Sequence, residues 1–176
     1  MARRLAVVCC SLVTTIALAA LPGCWYNTTG RSAGAVGDIF IPFFQDDTAG
    51  DRAVNLGVRL TDRVVREFQQ DRSIRVYQAA AERSLAQKEL LGTVKSFSEG
   101  VVTRDPTERG EEYRVRVLVS ITYKDLQSDA VLWTDGSVFG EGSYLLTEGE
   151  PGFERALGDC IERIVEKIVD KTIKAW

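Results

Sequence analysis

Residues 111–126 contain a regular alternation of apolar and polar side chains from Tyr113 to Lys124, in which Leu118 is the one exception. A period of two over this length predicts a β-strand that buries one face and exposes the other. The apolar set is Tyr113, Val115, Val117, Val119, Ile121 and Tyr123, and the polar set is Arg114, Arg116, Ser120, Thr122 and Lys124.

Two further strands accompany this one. Residues 90–103 are predicted to be the other arm of a long hairpin, joined to residues 111–126 by the polar connection 105–111. Gly100 in this arm predicts a bulge. Residues 130–146 form the third long strand, and its three glycines predict bending or bulging.

Two stretches have the spacing of amphipathic helices. In residues 53–70, Leu56, Leu60, Val64 and Phe68 recur every four positions, with charged side chains opposite them. From residue 153 onward the apolar positions also follow one helical face. That face consists of Phe153, Ala156, Leu157, Cys160, Ile161, Ile164, Val165, Ile168, Val169 and Ile173. Since Cys160 lies within it, we interpret this cysteine as a small buried hydrophobe.

The ordered domain is predicted to begin with a short strand at residues 38–44. Its apolar run is continuous, which is typical of a strand covered on both faces, and Pro42 indicates a sheet edge or a strand end. Residues 74–77 form another short strand. Strand, helix and strand within so short a stretch predict a right-handed crossover between parallel strands.

The predicted element order is β-α-β-β-β-α. We expect an α+β two-layer sandwich, in which two helices pack on one face of a four-stranded mixed sheet. The other face of the sheet is expected to be partly exposed.

The N-terminus has the pattern of a bacterial secretory signal. Arg3 and Arg4 precede an apolar run that is shorter than the roughly 20 residues of a membrane-spanning helix. The run ends in Leu-Pro-Gly-Cys, which resembles a lipobox, and Cys24 is then the lipidated first residue of the mature chain. Pro22 departs from the usual lipobox. Cleavage after Ala17-Leu18-Ala19 and an ordinary thiol at Cys24 are the alternatives.

We therefore divide the chain into a signal peptide (1–23), a lipid-anchored flexible tether (24–37) and one domain (38–176). The full chain has a net charge of -3, and removal of the signal with its two arginines makes the mature protein more acidic. A chain of this charge without a basic stripe is a poor candidate for nucleic-acid binding.

The sequence lacks the residues of most catalytic and metal sites. There is no histidine, which excludes His-containing triads and most zinc sites, and the nucleotide-binding and nucleophile-elbow motifs are also absent. Asp46, Asp47 and Asp51 lack the spacing of a calcium loop. We predict no catalytic residues, no metal and no cofactor, so the protein is not expected to be an enzyme. A hydrolase whose two carboxylates come from distant positions remains the alternative.

Several stretches together resemble the LptE family of lipopolysaccharide-assembly lipoproteins. They are the anchor GCWY, then GDIFIPFFQDDTAG, LGVRLTDRVVREF, SIRVY, EEYRVRVLVSITYKDL, AVLW, FGEGSYL and the C-terminal ALGDCIERIVEKIVDKTIKAW. The resemblance spans the mature chain. It implies two helices on a four-stranded sheet, as the pattern independently predicts.

The resemblance also implies a location and partners. Such proteins are lipid-anchored to the outer membrane on its periplasmic side, plug and help to assemble the β-barrel LptD, and contact lipopolysaccharide. Arg104 and Arg109 lie in the loop that carries lipid-contacting basic residues in the family. A second basic site expected before the last helix has no counterpart, because Glu148-Gly149-Glu150 stands there.

A different class of function stays open at this point. The first strand, helix and strand also resemble the lobe found in TolB N-terminal and CsgG-like domains. The alternative is therefore a generic periplasmic scaffold lipoprotein that binds protein or peptidoglycan.

Overall fold

The computed structural model describes residues 37–48, 55–71, 74–104 and 111–174, without the side chains of 103, 104 and 174. The strands are β1 (Ile39–Phe40), β2 (Gln45–Asp46), β3 (Val76–Tyr77), β4 (Lys88–Arg104), β5 (Glu111–Asp125) and β6 (Val131–Leu145). The α-helices are α1 (Leu56–Gln70) and α2 (Gly149–Val169). Short 3-10 turns at Ala80–Leu85 and Leu146–Glu148 precede β4 and α2, and a π-helical turn, Asp170–Lys174, follows α2.

All six strands belong to one mixed sheet. Its order is β3-β1-β4-β5-β6, and β2 also pairs with β4. β1 is parallel to both β3 and β4, which confirms the predicted parallel arrangement of the strands before and after α1. The β4–β5 and β5–β6 pairs are antiparallel. The α+β class and the two helices on a mixed sheet are thus confirmed.

In the described residues the sheet has six strands, and the predicted count of four was too low. Five strand segments were predicted from the sequence, but the predicted element order contained only four strands. In addition, residues 38–44 do not form one continuous strand. Pro42 lies between β1 and β2, since a residue without an N–H cannot continue a ladder. Phe43, expected within a strand covered on both faces, is instead 60% exposed.

The bulges are not all where the glycines predicted them. Gly100 pairs regularly with Arg114, and the irregularities of β4 lie between Val94 and Ser96 and between Val101 and Thr103. In β6 the register shifts where Gly136 lies, as predicted, but Gly140 and Gly142 belong to a regular ladder with β5. These two glycines allow the close packing of α2 on β6.

α2 approaches β6 closely at Gly140 and Gly142. A Cβ atom on Gly140 would lie 2.0 Å from the Cys160 carbonyl oxygen, and one on Gly142 would lie 2.1 Å from the Ala156 oxygen. Only glycine leaves space for a helix backbone at this distance. α2 therefore rests directly on the last strand of the sheet.

The core lies between the two helices and one face of the sheet. Both apolar helix stripes are buried there, and the apolar set of β5 faces them. Cys160 is fully buried, as predicted, and its Sγ lies 3.3 Å from the Val115 carbonyl oxygen on β5. Burial raises the pKa of this thiol to about 12.

The helices are also joined to each other and to β2 by polar contacts. Arg59 pairs with Glu154 at 2.7 Å, and Arg63 pairs with Glu162 at 2.6 Å. The Asp46 carboxylate accepts hydrogen bonds from Thr48 and from the Gly57 backbone N–H at the start of α1. A negative charge at a helix N-terminus is stabilising, so Asp46 fixes α1 against the β1–β2 segment.

Candidate functional site

The three residues singled out from the sequence are only partly within the described structure. Cys24 and Arg109 lie outside the described residues. Arg104 is the last residue of β4, and its Cα partner is Glu111, the first residue of β5. β4 therefore ends and β5 begins at the same end of the sheet, which we call the loop end. The lipid and lipidation roles of these residues stay predictions.

The face of the sheet opposite the helices is open and mostly polar. We call it the open face. Adjacent strands place small hydroxyl side chains and charged groups side by side on it: Thr93, Ser96 and Ser98 on β4, Arg114, Arg116, Ser120 and Thr122 on β5, and Thr134, Glu141 and Ser143 on β6. The alternation of β5 predicted this face, and its partial exposure is confirmed.

A shallow groove of about 390 Å³ lies on the open face near the loop end. It is lined by residues of β4, by Glu141 of β6 and by Arg114 and Arg116 of β5. Gly100 is the register partner of Arg114, and a Cβ added there would meet nothing within 4 Å. The missing side chain on β4 therefore leaves space beside the Arg114 guanidinium.

The two arginines of the groove differ in their contacts. The Arg116 Nε donates to the Glu141 carboxylate at 2.6 Å, and its guanidinium lies 4.9 Å from the centre of the Phe139 ring. Arg114 is exposed, and in the described part of the chain no ion-pair partner is recorded for it. Its guanidinium is thus available to an external anion, whereas Arg116 is held by its neighbours.

Apolar side chains surround the loop end. Val101 and Val102 near the end of β4, and Leu145 and Leu146 at the end of β6, are all exposed. Val101 and Val102 line the groove together with Arg114, and Leu145 is the register partner of Glu112 at the same end of the sheet. A cation beside exposed aliphatic groups is suited to an amphiphile with an anionic head.

The helix side of the loop end is held by aromatic packing. The Tyr144 ring lies 5.7 Å from that of Tyr113 and 6.0 Å from that of Phe153, which in turn contacts Phe97 at 6.3 Å. The Tyr144 hydroxyl also donates to the Glu99 carboxylate. Edge-on and tilted ring contacts of this kind add to the burial energy and stabilise this end of the sheet.

Sequence reasoning missed Arg114 as a site residue. Arg114 belongs to the polar set of β5, but its availability depends on Gly100 of the neighbouring strand and on the pairing of Arg116 with Glu141. The lone glycine opposite an arginine was the available signal, and it was interpreted as a bulge.

The described residues contain no group of three or more side chains with the composition of a metal site. Neither helix among them is long and apolar enough to cross a membrane.

The chain is similar to one protein family over most of its length. The family model LptE, described as lipopolysaccharide-assembly, matches residues 36–172. No curated protein matches the chain.

Solved structures share the fold at low sequence identity. The crystal structure of protein XCC0632 from Xanthomonas campestris is 11% identical, with a TM-score of 0.58, and the match covers 82% of this chain and 90% of that one. The hypothetical protein CT253 from Chlamydia trachomatis is 12% identical, with a TM-score of 0.51 and coverage of 78% and 96%. At these identities the likeness concerns the fold alone.

Proposed function

Because this chain belongs to the LptE lipopolysaccharide-assembly family, we propose that it is an outer-membrane lipoprotein that plugs and helps to assemble an LptD-type β-barrel. It is anchored through a lipid on Cys24 and lies on the periplasmic side. It assists lipopolysaccharide transport to the cell surface. The role is structural, so the protein acts without catalysing a reaction and without a cofactor.

The observation that carries the barrel role is the polar open face. The lumen of a wide outer-membrane barrel is polar, and an extended surface of hydroxyl and charged side chains can hydrogen-bond to it. Ser98, Ser120 and Thr122 provide such groups near the middle of the open face.

The loop end supports the lipid role. Lipid A carries phosphates and acyl chains, and arginine matches phosphate oxygens through its planar fork of N–H donors. Arg104 ends β4, Arg109 follows it in the sequence, and Arg114 lies in the groove that Val101 and Val102 also line. The proposed lipid site thus joins the two predicted arginines to Arg114.

The barrel role is tested by purifying the native lipoprotein from membranes and identifying what co-purifies. We expect a barrel of the size of LptD. A Ser120→Trp variant places a large side chain in the middle of the open face and should lose the barrel, whereas Gln69→Trp on the exposed side of α1 should retain it. Equal retention by both variants would exclude the open face as the contact. Tol or secretion components in place of a barrel would favour the scaffold function.

The lipid role is tested by charge reversal at the loop end. Arg104→Glu combined with Arg109→Glu should weaken lipopolysaccharide binding about tenfold or more, because each charge-assisted hydrogen bond to phosphate contributes about 1.5–3 kcal/mol. Arg114→Glu should weaken it further. Arg66→Glu with Arg163→Glu is the control, since neither arginine has a recorded ion pair in the described structure, whereas Arg59 is paired with Glu154.

Two results would contradict the lipid role. Equal losses in the loop-end and control variants would indicate a non-specific charge effect. Unchanged binding in both would mean that the protein does not contact the lipid through these arginines.

The anchor is tested by mass spectrometry of the native N-terminus. We expect a chain that starts at Cys24 and carries acyl groups. Trp25 follows the anchor in place of the aspartate that retains some lipoproteins at the inner membrane, so we expect outer-membrane fractions to contain the protein. A chain that starts at Ala20 with a free Cys24 thiol would contradict the prediction.

A further inference from the structure

Another groove lies on the open face, between the β1–β2 segment and the middle of β4 and β5. Its volume is about 340 Å³, and it is more enclosed than the groove at the loop end. None of the residues that line it is charged, whereas the groove at the loop end contains Arg114, Arg116 and two glutamates. We call it the neutral groove, and its lining favours an uncharged ligand.

One wall of the neutral groove is the side chain of Phe43, which is 60% exposed. The strand register explains this position. Phe40 pairs with Glu89 and Gln45 pairs with Thr93, so the segment between β1 and β2 contains one residue more than the matching part of β4. The segment leaves the ladder there, and Phe43 is directed to the open face while the next residue is buried in the core.

The backbone that carries Phe43 is held from the core side. The N–H of Phe44 donates to Oγ1 of Thr61 on α1 at 2.9 Å. The Phe44 ring fills the space that Gly92 leaves on β4, where an added Cβ would lie 2.4 Å from the ring. The exposed ring of Phe43 is therefore attached to a fixed support, and a ligand that packs on it has little backbone to order.

The floor of the neutral groove consists of hydroxyl groups. Thr93 and Ser120 are register partners, and within the described residues no side-chain hydrogen bond is recorded for either. Thr122 lies 3.0 Å from the hydroxyl of Thr134, which itself donates to the Ile121 carbonyl at 3.1 Å. Since Thr134 has one hydroxyl proton, Thr122 donates to it and keeps its own oxygen as an acceptor. The floor thus offers both donors and an acceptor.

An aromatic ring beside neutral hydroxyl groups suits a sugar ring. The C–H groups on the face of a sugar carry a partial positive charge and pack on the negative face of an aromatic ring. The hydroxyl groups at its rim pair with neutral donors and acceptors. The volume lies at the lower end of the range for small-ligand sites, about 300–1,000 Å³, and has room for one ring.

Other ligand classes fit the neutral groove less well. An anion would find no cation among the lining residues. A purely apolar ligand would cover the hydroxyl groups of the floor without pairing them, and an unpaired buried polar group is unfavourable.

We propose that the neutral groove binds one ring of an uncharged sugar chain, with the face of the sugar on Phe43 and its hydroxyl groups on Thr93, Ser120 and Thr122. The exposed Gln45 adds an amide at the rim. Two glycans of a bacterial envelope supply such rings: the hexoses of the lipopolysaccharide core and the N-acetylated hexoses of peptidoglycan. The inference goes beyond the barrel and lipid roles and rests on neither.

The first test is saturation-transfer NMR on the full-length lipoprotein. The protein is kept in a detergent without a sugar head group, because a maltoside would compete for the site. The probes are maltotriose and the trimer of N-acetylglucosamine, and the wild type should bind at least one of them. Binding of maltotriose alone indicates plain hexoses as the ligand, binding of the N-acetylated trimer alone indicates acetamido sugars, and binding of both indicates a site for either ring.

Substitutions then locate the site. Phe43→Ala should raise the dissociation constant about fivefold or more through loss of the aromatic contact. Phe139→Ala is the matched control, since this ring is also exposed on the open face but lies outside the neutral groove. Ser120→Ala should raise the dissociation constant about threefold or more, and the same change at Ser96, exposed on β4 outside the groove, should not.

Salt separates this site from the lipid site. With no charge in the lining, the dissociation constant for the trisaccharide should be equal at about 0.05 M and 0.5 M NaCl, because there is no ionic contact to screen. Binding of lipopolysaccharide phosphate at the loop-end arginines should weaken over the same range. The failure of one proposal therefore does not imply the failure of the other.

A wild type that binds neither trisaccharide would overturn the proposal. Binding that Phe43→Ala and Ser120→Ala both leave unchanged would also overturn it, because another surface would then hold the sugar. Binding that weakens steeply with salt would show that charged groups carry the contact, and the neutral groove would not be the site.

Discussion

Alternate residues of β5 form the two faces of the strand. One face must be apolar because it packs against the helices, whereas the other can be polar because it is open. On the helix face, Val115, Val117, Val119 and Ile121 are at most 1% exposed and define the core. On the open face, Arg114 is exposed and available to an anion. The fold thus depends on one half of the strand positions, and the other half is free to be adapted to partners.

Glycine shows the same contrast. Gly140 faces α2, where an added Cβ would meet backbone atoms, and Gly100 lies on the open face, where it would meet nothing within 4 Å. One residue type therefore serves helix packing on one face and an open groove on the other. Substitutions at matched positions can separate the two requirements.

The largest effect is expected from a charge on the helix face. Ile164 of α2 is fully buried in the core. Ile164→Asp should prevent folding, because an unpaired carboxylate in an apolar environment has no compensating contact. Ile164→Ala should lower the free energy of unfolding by about 2–5 kcal/mol, through lost burial and the cavity left behind. Circular dichroism during thermal and denaturant unfolding measures both.

The matched control is a change on the open face. Ser120→Ala and Ser120→Asp should each alter the free energy of unfolding by about 0.5 kcal/mol or less, as is usual for surface positions. If Ile164→Ala had as small an effect as Ser120→Ala, α2 would not pack on the sheet and the two faces would not differ.

Substitutions of the two glycines should change the free energy of unfolding by smaller amounts and in opposite directions. Gly140→Ala should destabilise the protein by about 1–3 kcal/mol, because the methyl group forces α2 away from β6. Gly100→Ala should stabilise it by about 0.4–1 kcal/mol, since it reduces the freedom of the unfolded chain without a clash. The difference in unfolding midpoint between the two variants is the measurement, and equal values would contradict the close approach of α2.

The smallest effect is expected from an ion pair between β6 and the turn after α2. Lys171 donates to Asp135 and, with bonds from Ser137, lowers the pKa of this carboxylate from 3.8 to about 2. A lowered pKa in the folded state gives stability that is complete above pH 3.8 and is lost as the pH falls towards 2. Lys171→Ala should therefore cost about 0.2–1 kcal/mol at pH 7 and progressively less below pH 4.

Lys124 provides the comparison on the open face, because no ion pair is recorded for it in the described structure. Lys124→Ala should leave the midpoint unchanged over the same pH range. A cost of Lys171→Ala that persists unchanged at pH 2 would show that lost packing, and not the charge of Asp135, explains it.

The sequence predicted the elements whose pattern reflects burial on one side. The alternation of residues 111–126 and the helical spacing from residue 153 each report which side chains face the core, and Cys160 within the stripe is buried as expected. The alternative of a strand end at Pro42 was also correct, because the missing N–H is a local property.

Features that depend on two distant segments could not be predicted in this way. The three glycines of β6 look alike in sequence, but Gly136 lies at a register shift and Gly140 lies beneath α2. Arg114 becomes available because Arg116, two residues later, pairs with Glu141 of another strand. Periodicity records the average environment of a position and does not identify the neighbour.

Cys160 makes the packing of α2 observable over time. If Cys24 is acylated, Cys160 is the one thiol left in the mature chain. Its pKa of about 12 and its complete burial mean that almost no thiolate forms in the native state, so an alkylating reagent at neutral pH reacts only after α2 has separated from β5. The labelling rate then reports how often this opening occurs. Binding of a partner that holds the domain closed will slow the labelling of Cys160.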